Sequence, residues 1–120
     1  MIDEVTDPAT IRAVLGDAHL AHLVDHPEPR PGWRYFGDAQ GLICFAPAGS
    51  GIWEAHMMML RSGASQALRD AMAIMAGEGA VEFFGAIPEG NERAIRPAIR
   101  AGFRYLAREN GFHIMRCHYG

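Results

Sequence analysis

Gly51-Ile52-Trp53-Glu54-Ala55-His56-Met57-Met58-Met59-Leu60, then Arg61-Ser62-Gly63, then Ala64-Ser65-Gln66-Ala67-Leu68-Arg69-Asp70-Ala71-Met72-Ala73-Ile74-Met75-Ala76 is the stretch that decides the fold. Its opening run is mostly apolar and predicts a buried strand, which Arg61-Ser62-Gly63 breaks. From Ala64 onward, Leu68, Ala71, Met72 and Met75 fall on one helical stripe, which predicts a helix packed through that stripe. A strand feeding a short glycine-containing loop and then a helix N-terminus makes an anion site, because unpaired N–H groups and the helix dipole converge there. Glu54 and His56 interrupt the strand just before the loop. Residues two apart on a strand share a face, so these two side chains are neighbours in a mainly apolar setting. Burial of such groups is costly without partners, so the pair needs a structural or a chemical reason.

Outward from this unit, the chain reads as one domain over residues 1–120, long enough for a single core. Hydrophobic content of 49% against 21% charged residues fits a soluble globular protein. No apolar run approaches the ~20 residues that span a membrane, and the acidic start lacks the basic segment of a signal peptide. A cytoplasmic protein with no membrane role is therefore expected. Cys44 and Cys117 sit in strand-like runs and predict buried free thiols. A net charge of −3 argues against a nucleic-acid binder. Arginines cluster late, at Arg93, Arg96, Arg100, Arg104, Arg108 and Arg116, and the sequence has no lysine. Any bound anion must be met by arginine, backbone N–H groups or a helix end.

Upstream, Met1–Val5 predicts a short edge strand. Thr6-Asp7-Pro8 predicts a capped helix start, with Ile11, Val14 and Leu15 on its inner face and Gly16 at its end. A second short helix is expected over Asp17–Val24. The prolines of Asp25–Gly32 make a loop. Trp33–Gly37 and Leu42–Ala46 predict a hairpin, and Pro47–Gly51 a turn into the central strand. Downstream, Ala80–Ile87 predicts a strand parallel to the central one, because the connection passes through a helix. Asn91 is a credible N-cap for a helix that ends at Gly102, with Pro97 kinking it or delaying its start. Phe103–Arg108 and Phe112–Tyr119 close the chain as a hairpin. The fold class is α/β (α+β): a mixed, mainly antiparallel sheet of about six to seven strands with helices on both faces, in the order β-α-α-β-β-β-α-β-α-β-β.

That order resembles the GNAT acyltransferases. Asn91-x-x-Ala94 followed at a distance by Gly102-Phe103 is similar to a signature of that family. Glu54-x-His56 followed by Met57-Met58-Met59-Leu60 resembles small GNAT-like proteins often encoded by phages and prophages. The resemblance implies transfer of an acetyl group from acetyl-CoA to a primary amine by direct attack in a ternary complex. It also implies that the strands Trp53–Leu60 and Ala80–Ile87 splay apart and that a pantetheine arm pairs with backbone exposed in the gap. The backbone of Met58, Met59 and Leu60 would orient the thioester, and Arg61, Ser62, Gly63, Ala64 and Ser65 would hold the pyrophosphate, with Asn91 near the pantetheine. The chain departs from the family pattern in two places. Arg61–Ala67 does not fit the usual pyrophosphate-loop frame, and Ala98 stands where many members carry a tyrosine that protonates the departing thiolate. Tyr35, Tyr105 or Tyr119 could serve from elsewhere, or water could.

The residues leave alternatives open. Desolvation raises a carboxylate pKa and lowers that of a histidine, so Glu54 could act as the base with His56 supporting or replacing it. Alternatively the two form an internal structural pair. The Arg61–Ser65 loop is either a phosphate cradle or a plain strand-to-helix turn capped by Ser62. Arg93, Arg96 and Arg100 share a helical face that is either merely solvated or in contact with coenzyme A phosphates. His113 and Cys117 lie about 13 Å apart along a strand, too far for one metal, and His19 with His22 lacks a third ligand, so no metal is expected. The rival to an enzyme is a non-catalytic GNAT-fold module that binds coenzyme A or a protein partner. The arginine-rich final hairpin offers an edge through which a homodimer could form.

Overall fold

The computed structural model describes residues 2–16, 28–38, 41–59 and 63–119. The first helix, α1 (Pro8–Leu15), is started by Asp7, whose carboxylate accepts from the N–H groups of Ala9 and Thr10 at 3.3 Å each. Pro8 needs no N–H partner and takes the first helical position. Ahead of it, Glu4 bridges to Phe36, and backbone bonds Val5 N–H to Tyr35 and Gly37 N–H to Asp3 tie the segment to the sheet. The expected edge strand is thus reduced to a single bridge. The helix expected over Asp17–Val24 lies outside the described residues, as do residues 25–27 of the proline loop.

Strands β1 (Arg34–Asp38), β2 (Gly41–Gly49) and β3 (Ile52–Met59) form an antiparallel meander. The sequence ended β2 at Ala46, but the strand runs on through Pro47 to Gly49, with a register break between those two residues. Pairing with β1 stops at Phe45, so Pro47 has a strand on one side only, where a missing N–H is tolerated. The turn contracts to Ser50-Gly51, with Gly51 at φ 72°.

Helix α2 (Ala64–Gly77) follows and buries Leu68, Ala71, Met72 and Met75, the expected stripe. Strand β4 (Glu82–Pro88) returns parallel to β3. A single turn of 3-10 helix at Glu92–Ala94 leads into α3 (Ile95–Arg100), so Pro97 sits in the first turn of a delayed α-helix, where it is tolerated. Strands β5 (Arg104–Glu109) and β6 (Phe112–His118) form the last hairpin, giving one six-stranded sheet in the order β1-β2-β3-β4-β6-β5. Among the described residues no helix is long and apolar enough to cross a membrane.

The main core lies between α2, with α3 beside it, and one sheet face, where Phe36, Ile43, Phe45, Phe83 and Met115 are buried. On the opposite face α1 buries Ile11, Val14 and Leu15 against Tyr35, Leu42 and Cys44, with Trp33 packed alongside. Alternation along β3 therefore sends Trp53, Ala55 and Met57 to the α2 side and Glu54 and His56 to the α1 side. Cys44 and Cys117 are both buried free thiols.

Candidate active site

What positions the site is the way β3 and β4 meet. The carbonyl of Gly51 accepts from the N–H groups of Val81 at 2.8 Å and Glu82 at 3.2 Å, which pins the two strands at their starts. A side chain at Gly51 would lie 3.1 Å from the carbonyl of Gly79, too close for an ordinary contact, and the positive φ adds strain. From that pin the parallel ladder runs Ile52↔Glu82, Trp53↔Phe83 and Glu54↔Phe84, then stops. Beyond Glu54 the described residues of β3 have no ladder partner on the β4 side, although β2 continues to pair along the other side as far as Met59. An unpaired row of backbone N–H and C=O groups beside a gap is a place for an extended ligand to complete the ladder.

A cavity of about 120 Å³ occupies the gap. Ala55, His56 and Met57 line it from β3, Gly85 to Pro88 from β4, and Asn91, Ala94 and Ala98 from the helical segment above. That is room for several waters, and so for an acyl group or a slender arm. Asn91 takes the N-cap position, but its side chain makes no capping bond and borders the cavity.

Glu54 and His56 stand at the last paired position and just beyond it. Oε1 of Glu54 lies 2.8 Å from Nε2 of His56, with both side chains roughly a third exposed (31% and 27%). Across the sheet, Cys44 is directly opposite His56. Burial pushes the Cys44 thiol up to about 12, so it stays protonated at neutral pH.

Of the loop proposed to hold a pyrophosphate, Arg61 and Ser62 lie outside the described residues, as does Leu60, expected to help orient the thioester. Gly63 is the N-cap of α2, at φ 85°, and supplies no side-chain cap. The alternative in which Ser62 caps the helix falls on a residue outside the described ones. Beside it Gly63, Ser65, Gln66, Arg69 and Arg100 line a shallow open depression, and Arg69 donates to the carbonyl of Arg100. On the other side of Gly63 a second depression carries Asp3, Asp38 and Asp70. The helix start is thus basic on one flank and acidic on the other.

Arg69 escaped the sequence reading, yet it lies four residues after Ser65 and so on the same helical face, a spacing that could have found it. Arg93, Arg96 and Arg100 are all exposed, and Arg100 borders the basic depression. None of the three tyrosines lines the cavity. The Tyr35 hydroxyl accepts from the Arg30 N–H on the α1 side, Tyr105 bonds to Nδ1 of His113 at 2.8 Å, and Tyr119 packs edge-on against Phe83. Among the described residues no group of three or more His, Cys, Asp or Glu side chains is placed to hold a metal.

No family model and no curated protein matches the chain by sequence. Solved structures do match in fold. An acetyltransferase from Bacillus subtilis in complex with CoA is 11% identical over 98% of this chain and 97% of its own, with a TM-score of 0.69. A variant of a spermidine N-acetyltransferase from Vibrio cholerae is 12% identical over 99% of this chain and 95% of its own, with a TM-score of 0.73. The PaiA N-acetyltransferase from Thermoplasma acidophilum, in complex with coenzyme A, is 15% identical over 73% of this chain, with a TM-score of 0.60. The match spans 60% of that enzyme's length. The architecture is the GNAT fold, a six-stranded mixed sheet with helices, as its element order implied.

Proposed function

We propose that this chain is a single-domain N-acyltransferase that moves an acetyl group from acetyl-CoA to a primary amine by direct attack in a ternary complex. The observation that carries this reading is the broken β3–β4 ladder, with a cavity of about 120 Å³ in the break, His56 in its wall and Glu54 bonded to His56. Solved neighbours of the same fold that hold coenzyme A support the choice of donor. The Glu54-x-His56-Met57-Met58-Met59-Leu60 run supports a phage- or prophage-type member working in the cytoplasm, where acetyl-CoA is made.

Acetyl-CoA, when bound, would supply an activated acyl carbon. The unpaired backbone from Met57 to Met59 would orient the arm, and one N–H there would polarise the thioester carbonyl. Gly63, Ala64 and Ser65 at the open helix start, together with Arg69 and Arg100, would meet the phosphates. Glu54 and His56 act as one acid–base unit. With the Glu54 carboxylate accepting from Nε2–H of a neutral His56, the lone pair sits on Nδ1, and we assign the amine's proton to that atom. Glu54, favoured as the base from sequence, then holds the ring and stabilises the imidazolium. The protonated, buried Cys44 supports direct transfer over an acyl-cysteine route.

Titration calorimetry with acetyl-CoA and with coenzyme A tests the reading. Micromolar binding, followed by amine-dependent release of the coenzyme A thiol, is the expected result. No heat at millimolar ligand would overturn it. Binding without turnover for any amine would favour the second reading, a coenzyme A-binding module without catalysis. The absence of any tyrosine from the cavity wall among the described residues favours that alternative.

A further inference from the structure

We infer that Trp33 is a positioning residue for His56, an inference that rests on the Glu54–His56 pair acting as the acid–base unit. Trp33 precedes β1, two strands away from β3, yet its indole stacks on the His56 ring with centroids 5.6 Å apart and planes 12° from parallel. It reaches across because β2 presents small residues on this face: Cys44 opposite His56 and Ala46 opposite Glu54. Tyr35 stacks on the same indole at 6.4 Å, and the Arg30 guanidinium lies over it at 5.3 Å. The His56 ring is therefore held in two ways at once. Glu54 fixes one edge through Nε2, and the flat indole limits rotation about the Cβ–Cγ bond that would carry Nε2 away from Glu54.

The tautomer depends on this restraint. While Nε2–H points at Glu54, Nδ1 carries the lone pair, and a half-turn of the ring would put Cε1 where Nε2 stood, break the bond to Glu54 and leave the proton free to sit on either nitrogen. Trp33 thus chooses, through the orientation of the His56 ring, which nitrogen takes the proton. The groups around the ring are Glu54 on its own strand, Cys44 on β2, Tyr35 on β1, and Arg30 beyond the indole.

The test is long-range 15N–1H correlation of the His56 ring in the full chain, at a pH where the ring is neutral, for wild type, Trp33→Leu and Trp33→Phe. Wild type should show one tautomer, Nε2–H, with ring protons shifted upfield by the indole. Trp33→Leu should lose the shift and show both tautomers in exchange, and Trp33→Phe should restore the single one. With any amine that supports turnover, kcat of the leucine variant should fall on the order of 10²-fold while KM for acetyl-CoA holds. A single Nε2–H tautomer in Trp33→Leu overturns the inference. If that variant does not fold, the wild-type spectrum decides, because His56 ring protons without an upfield shift overturn it equally. The spectra do not depend on acetyl transfer. Failure to bind acetyl-CoA would overturn the transferase reading and leave the tautomer result standing.

Discussion

Glu54 and His56 are one bond and one face, so replacing either tests both. Glu54→Gln keeps an oxygen that can accept from Nε2–H but removes the charge that stabilises an imidazolium. His56→Phe keeps an aromatic ring under Trp33 and removes the base. Both should bind coenzyme A within about twofold of wild type, while turnover falls about 10²–10⁴-fold, the usual worth of a positioned base. Equal losses of affinity and turnover would mean that the pair only shapes the cavity. Cys44, opposite His56, gives a second prediction through its thiol, raised by burial from 9.0 to about 12. The unfolded chain releases this proton at lower pH than the folded one, so stability is intact below about pH 9 and declines as pH rises towards 12. The slope should approach 1.4 kcal/mol per pH unit in denaturant titrations, with Cys117, also raised by burial, adding in the same direction. Cys44→Ala should flatten the curve. The sequence made the Glu54–His56 pair legible because strand period alone puts them together. It could not show Trp33, since that stack depends on the register of two hairpins and on the small size of Cys44 and Ala46.

At the scale of elements, the break between β3 and β4 is the feature to perturb. Gly85 is the first β4 residue beyond the last rung, and a Cβ there would meet the Ala55 carbonyl at 3.7 Å, an ordinary contact. Gly85→Ala should therefore be tolerated with coenzyme A binding intact. Gly85→Val fills the break with a branched side chain that suits a strand, and should weaken coenzyme A at least tenfold in calorimetry without lowering the melting temperature. Arg34 is the tie between elements. It meets Glu4 of the N-terminal segment at 2.7 Å and Glu78, just past α2, at 3.1 Å, with 22% of its side chain exposed. Arg34→Met should cost about 1–2 kcal/mol in urea unfolding, between the worth of an exposed pair and that of a charged hydrogen bond in partial shelter. Because Arg34 holds the Glu4 carboxyl below its usual range, that stability is present above pH 4.5 and fades as pH falls, so the variant should also show a shallower acid limb. Most elements were legible from periodicity and punctuation: the Asp7 cap, the α2 stripe, and the final hairpin, which Asn110 and Gly111 turn at positive φ. The length of β2 was not, because a proline interrupts a strand only where a neighbour needs its N–H, and β1 had already stopped on one side of Pro47.

For the whole molecule, the question is whether this fold still binds what its architecture suggests, and charge placement gives that question a direction. Charges from separate parts of the sequence meet at the start of α2, where Asp3, Asp38 and Asp70 flank one side of Gly63 and Arg69 and Arg100 the other. An anionic ligand reaching the β3–β4 break should therefore lie on the arginine side, and its affinity should fall with added salt as those exposed charges are screened. A ligand that binds only the folded chain stabilises it by RT ln(1 + [L]/Kd), about 2.7 kcal/mol at a hundredfold excess over Kd. For a chain of 120 residues that is a rise on the order of 10 °C in melting temperature. Acetyl-CoA should produce this shift in wild type and equally in the Glu54→Ala/His56→Ala double variant, which should release no coenzyme A thiol when amine is added. Arg69→Ala/Arg100→Ala should lose most of the shift and most of its salt dependence. A shift retained by that variant would move the phosphates off this flank. A double Glu54/His56 variant that unfolds early and no longer responds to ligand would make the pair part of the scaffold and return the proton transfer to solvent.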